Sequence, residues 1–127
     1  PVLPLWLDAT NPSPSQGWAG AERKSMQDRS NADMMLGLAV IHHLAIAKNI
    51  PLDMAVDWLM SLAPSGVIEF PSKSDPMVVQ LLRHRSDIFP DYTEEAFLQH
   101  VAKRGQIVRQ DRIGEGGRLI LAYDRRG

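Results

Sequence analysis

The chain has 127 residues, 44% apolar and 23% charged, with a formal net charge of -1, which is ordinary composition for one domain with a real core. A near-neutral balance argues against a dedicated nucleic-acid module, which needs a basic excess for the phosphates. The absence of cysteine excludes a disulfide framework, a cysteine zinc site, an iron–sulfur cluster and a thiol nucleophile, and fits a cytoplasmic setting.

The first residues, Pro1 to Leu7, are apolar but few, with two prolines and no basic flank, so they do not read as a targeting segment. Val2 to Leu7 reads as a short strand ending at Asp8. A chain that starts at Pro1 and enters a strand at once reads like a piece of a longer protein. Ala9 to Asn31 is polar, carries Asn11-Pro12-Ser13-Pro14 and Gly17, and is predicted as loop with one helical turn around Glu22 to Asp28.

Ala32 to Ile41 is continuously apolar after Asp33. That suits a strand buried on both faces, running to about Ala39 or Val40, with a helical stretch from His42 to Lys48. A buried helix is the competing reading, since Met, Leu and Ala favour helix. Met34 to Ile50 is the most apolar stretch, but His42, His43, Lys48 and Asn49 interrupt it, so no membrane span is predicted.

Pro51 to Leu62 is predicted as a helix with Leu52, Val56 and Leu59 on one stripe, ended by Pro64 and Gly66. Gly66 to Phe70 reads as a short buried strand. Asp75 is an N-cap with Pro76 at the first helical position, opening a helix to about Arg85. Thr93 caps a second helix, Glu94 to Arg104, that buries Phe97 and Val101. Gln106 to Arg112 and Arg118 to Arg125 are strands flanking Gly114-Glu115-Gly116-Gly117, a hairpin signal. Alternation followed by a terminal hairpin predicts an α/β fold, mostly parallel with an antiparallel edge.

Three features then resemble the C-terminal part of a class I S-adenosylmethionine-dependent methyltransferase. They are the strand ending in Asp8-Ala9, the run Ala32 to Leu44 with its apolar strand and His42-His43-Leu44 end, and the strand–helix–hairpin finish from Val67. Asn11-Pro12-Ser13-Pro14, Gly17-Trp18, Glu22-Arg23, Ile68-Glu69-Phe70 and the segment from Asp87 to Thr93 are similar to an uncharacterised bacterial subgroup. Some of its members are called nodulation-related methyltransferases. The resemblance implies a Rossmann-like sheet that is incomplete here: the family's first two strands and its Gly-rich loop have no counterpart in the chain. It also implies that the hairpin places an antiparallel strand beside the Val67 strand. Without its central neighbours, the sheet is expected to rearrange, exchange strands or form a homodimer.

The resemblance assigns Asp8 and Ala9 to the cofactor, Asp8 accepting from the adenine amino group. A solvated turn or cap is the alternative for Asp8. His42 and His43 would sit beside the methionine half of S-adenosylmethionine and the acceptor, where an imidazole suits proton removal near neutral pH. A packed core histidine beside a surface one is the other reading. Glu69 would face the same crevice and bind an acceptor amine or position a hydroxyl; alternatively it pairs with Lys73 or Arg83. Trp18 is read as an acceptor-site wall or a loop anchor. No metal-ligand spacing occurs. The predicted function is methyl transfer to an unassigned acceptor within a longer enzyme, the piece itself being inactive. Alternatives are a catalytically degenerate methyltransferase-like interaction domain and a different α/β binding domain.

Overall fold

In the computed structural model, residues 2, 4, 7–29, 31–83, 86–114 and 117–126 are described. Four strands make one mixed sheet: β1 (Met34–Gly37), β2 (Ser65–Phe70), β3 (Gln106–Ile113) and β4 (Arg118–Asp124), in the order β1-β2-β4-β3. β1 and β2 are parallel, with Leu36 opposite Val67. β4 lies antiparallel between β2 and β3, with Ile68 opposite Leu121 and Arg112 opposite Leu119. The helices are α1 (Met26–Arg29), α2 (Leu52–Ser61), α3 (Pro76–Leu82) and α4 (Glu94–Arg104).

Side-chain alternation assigns the two faces of the sheet. Met35, Ile68, Phe70, Leu119, Leu121 and Tyr123 are buried in the main core. They meet Val56, Leu59 and Met60 of α2 and Phe97 and Val101 of α4. Phe70 stacks on both Tyr92 and Phe97, with ring centroids 4.7 Å apart in each case. Arg104 of α4 reaches Asp57 of α2 at 3.0 Å, closing the helical layer at its surface. Gly66 is required by a close approach. A Cβ there would lie 2.6 Å from the Met35 carbonyl oxygen and 2.9 Å from the Tyr123 ring.

The caps follow the predicted chemistry. Asp75 accepts from the Met77 amide at 2.9 Å and Thr93 from the Ala96 amide at 3.1 Å. α3 spans Pro76–Leu82, and the predicted end of this helix at Arg85 lies outside the described residues, as does His84. At the hairpin, Gly114 and Gly117 take positive φ of 71° and 64°, and Glu115 and Gly116 lie outside the described residues. The predicted strand from Val2 to Leu7 also falls largely outside them, with Leu3, Leu5 and Trp6 undescribed.

Two expectations about the Met34 run are corrected. The strand ends at Gly37, because Ala39 adopts a left-handed backbone (φ 55°) and turns the chain. The strand is also not buried on both faces: Met34 and Leu36 are 54% and 64% exposed. The apolar run is continuous, but among the described residues the main core lies on one side of it. The helical stretch after the strand is a π turn, His43–Ala47, in which the Lys48 amide donates to the His43 carbonyl at 3.0 Å. Asn49, at φ 55°, ends it, and the Ile50 amide returns to the Leu44 carbonyl at 2.9 Å.

Candidate functional site

Parallel strands place the loops at their carboxyl ends along one rim of the sheet, where α/β proteins bind ligands. After β1 come Ala39, Val40, His42 and His43; after β2 comes the segment from Pro71 to Asp75. β4 runs the other way, so its first residue, Arg118, starts at the same rim. The polar residues at this rim, with Glu69 of β2, form a partly buried cluster.

Arg118 is its centre. Its Nε donates to Asp75 Oδ2 at 2.7 Å and its Nη2 to Asp75 Oδ1 at 3.1 Å, a two-pronged pair. Its Nη1 donates to Glu69 Oε1 at 2.6 Å. The two acid side chains are 9% and 4% exposed for Glu69 and Asp75, and Arg118 is 23% exposed. Hydrogen bonding from Arg118, supported by the Met77 amide and the Arg118 charge, holds the Asp75 carboxyl below its usual range despite burial. The same carboxylates push Arg118 further up, Asp75 foremost.

His42 is buried and its Nδ1 has no hydrogen-bond partner among the described residues. Burial lowers its pKa, and the His43 and Arg118 charges add to this against the opposing pull of Asp75 and Glu69. The ring is therefore neutral at pH 7. His43 is exposed and its ring lies 4.2 Å from that of His42. Tyr92 closes the inner side, its hydroxyl donating to the Pro71 carbonyl at 2.5 Å. Burial, with the nearby Asp75 charge, pushes that phenol well above its ordinary value.

The cluster thus joins His42, His43 and Glu69 from the predicted set. The ion pair of Glu69 is with Arg118, not Lys73 or Arg83; Lys73 instead pairs with Asp87 at 2.9 Å. Asp8 is exposed and its Oδ1 accepts from the Thr10 amide at 2.9 Å and the Thr10 hydroxyl at 2.6 Å. These bonds lower its pKa. Ala9 packs half-buried against the core. Trp18 stands 84% exposed on a 3₁₀ turn and makes no ring contact among the described residues.

Sequence reasoning missed Asp75, Arg118 and Tyr92 as members of the cluster. Arg118 is 49 residues from Glu69 and 43 from Asp75, so no local spacing signals the pairing. A lone cation at the head of an apolar strand was the available hint. Elsewhere, a cleft of about 520 Å³ lies between the starts of α2 and α4, lined in part by Ile50, Asp53, Phe89, Asp91 and His100. Among the described residues, no group of His, Cys, Asp or Glu could hold a metal ion, and no helix is long and apolar enough to cross a membrane.

These features define an α/β protein with a mixed four-stranded sheet and a buried ionic cluster where its parallel strands end. No protein-family model matches the chain, and no solved structure matches it. The chain is similar to nodulation protein NoeA of Rhizobium meliloti (strain 1021), with 46% identity over 123 residues. That match covers 97% of this chain but 26% of the relative, so the chain spans about a quarter of the relative's length.

Proposed function

We propose that the chain is the C-terminal part of a class I S-adenosylmethionine-dependent methyltransferase domain, acting within a longer enzyme. The observation that carries this reading is the strand order. Two parallel strands are followed across the sheet by an antiparallel strand inserted between β2 and β3, the arrangement the family resemblance implies beside the Val67 strand. Residues after β1 and β2 then line the crevice rim, as methyl transfer by positioning requires.

The residues present fit one side of the cofactor only. The turn from Ala39 to His43 offers a wall at the end of β1. The Asp8 carboxylate, which the resemblance assigns to the adenine amino group, is engaged by Thr10. The sequence contains no Gly-rich loop to approach the methionine half. When bound, the cofactor supplies an electrophilic methyl group on a sulfonium, and these residues would orient it rather than enclose it. His43 is the accessible imidazole for proton removal, since the His42 ring is buried.

One observation favours a second reading, a catalytically degenerate interaction domain. Glu69 is held by Arg118, which removes it from acceptor binding unless the ion pair opens. Methyl transfer assayed with radiolabelled S-adenosylmethionine in the longer polypeptide separates the two. Cofactor turnover that His43→Ala slows supports the enzyme; cofactor binding with no transfer to any acceptor supports the degenerate domain.

A further inference from the structure

Of the residues gathered around Arg118, only Tyr92 also lines the cleft of about 520 Å³ between the starts of α2 and α4. Ile50 and Phe89, half-buried against the core, give this cleft apolar walls. Asp53 of α2, Asp91 and His100 of α4 line it too, and among the described residues no lysine or arginine does. A concavity of this size, apolar with a few polar groups, suits a small ligand.

The wall that carries Phe89 and Asp91 is held at both ends. Before it, Lys73 Nζ donates to both Asp87 carboxylate oxygens at 3.0 and 2.9 Å, and Asp87 Oδ1 accepts from the Phe89 amide at 3.1 Å. After it, the buried Tyr92 donates through its hydroxyl to the Pro71 carbonyl. A wall fixed in this way costs little ordering when a ligand enters. The acids near the cleft fall into two kinds. Asp57 is paired with Arg104 and Asp87 with Lys73. Asp53 and Asp91 have no cation at ion-pair distance among the described residues. Helix starts favour anions, but the first turns of α2 and α4 already hold Asp53 and Glu94 with Glu95. Burial foremost lowers the pKa of His100, with the Lys103 and Arg104 charges adding to it and those of Asp53 and Asp91 opposing it. Its ring is therefore neutral at pH 7 and offers a nitrogen that accepts.

We propose that this cleft binds a small organic ammonium ion with an aromatic or alkyl body, the body against Ile50 and Phe89 and the ammonium shared by Asp53, Asp91 and His100. An ammonium group has three N–H donors, and two carboxylates with one neutral imidazole give it three acceptors. An anion would meet two unpaired carboxylates and no cation. A neutral ligand would leave both charges unanswered. Cofactor and strand-rim crevice play no part in this site, which stands or falls separately from the methyltransferase reading.

Isothermal titration of phenethylammonium into the full natural polypeptide at pH 7, cofactor absent, tests it. Phenylacetate and phenethyl alcohol are the matched probes, with a similar body and a negative or no charge. The expected result is that the ammonium binds at least about tenfold tighter than either. Asp53→Asn and Asp91→Asn, both at exposed positions, should each weaken it about tenfold, while Asp111→Asn on β3 should not. Ala96→Phe, which fills the cleft without changing its charge, should abolish binding. Phenylacetate or phenethyl alcohol binding as tightly as the ammonium overturns the proposal. So does ammonium binding that neither Asp variant nor Ala96→Phe changes, or no binding at about 10 mM.

Discussion

Replacing Arg118 by Met removes the cation that ion-pairs with both Glu69 and Asp75, while keeping an apolar stem in place. Three charge-assisted hydrogen bonds are lost, at 2.6, 2.7 and 3.1 Å. Two carboxylates that are 9% and 4% exposed are left facing each other. Removing one partner of a fully buried pair costs about 3–5 kcal/mol. Arg118 is 23% exposed, so water partly replaces it, and the expected loss is about 2–4 kcal/mol. Asp75→Asn isolates the ionic part, because Asn caps α3 as well as Asp does. A cycle between Arg118→Met and Asp75→Asn should give a coupling of about 1–3 kcal/mol. The acid limb should change too. The folded Asp75 pKa is depressed mainly by Arg118, so its contribution is full above the unfolded value near 3.9 and is lost as pH falls through the depressed folded value. Arg118→Met should flatten that limb. Urea unfolding at pH 7 and pH 3, followed by tryptophan fluorescence, reads both effects. A variant within about 0.5 kcal/mol of the parent at pH 7, the ordinary range of surface changes, would refute the view that this cluster holds the rim together.

Three other substitutions probe separate elements. His42→Leu replaces a buried ring with an orphaned Nδ1, so stability at pH 7 should hold or rise by about 1 kcal/mol. Because the folded His42 pKa is lowered, the parent loses stability as pH falls below about 6.5 toward that folded value, and the variant should lose less in urea titrations over that window. Gly66→Ala forces a Cβ against the Met35 carbonyl at 2.6 Å and the Tyr123 ring at 2.9 Å, so thermal unfolding should report a loss of about 2–4 kcal/mol. Ala39→Gly relieves a left-handed residue at φ 55° and should raise the urea midpoint, corresponding to about 1 kcal/mol; an unchanged or lower midpoint would mean the turn is not strained.

The elements that were legible in the sequence are those whose signal is local. The stripe of Leu52, Val56 and Leu59 marks α2, and Asp75-Pro76 and Thr93 mark the helix starts. The glycine run between two strand-like runs marks the β3–β4 hairpin. The strand before His42 was legible in kind but not in surroundings. A continuous apolar run looks the same whether a strand is covered on both faces or on one, and coverage is a tertiary fact. The π turn had no distinguishing pattern, since Leu44, Ala45 and Ile46 suit any buried helix.

The candidate site was half legible for the same reason. His42 and Glu69 stand out because polar residues interrupt apolar strand ends. Asp75 was legible as a cap, and it is one, but its second role depends on Arg118 arriving from the far side of the hairpin. For Asp8 the turn with Thr10 was legible as the alternative to its cofactor role, because its hydrogen bonds are local.

Isothermal titration of S-adenosylhomocysteine into this chain and into the longer polypeptide tests the central claim most directly. The account predicts binding by the longer polypeptide and none by these 127 residues, since on the proposed reading they would supply one wall of the crevice and lack the family's Gly-rich loop. Absence of binding by the longer polypeptide would contradict the methyltransferase reading. Tight binding by the 127-residue chain alone would contradict the placement of the cofactor across a crevice that needs further strands to close.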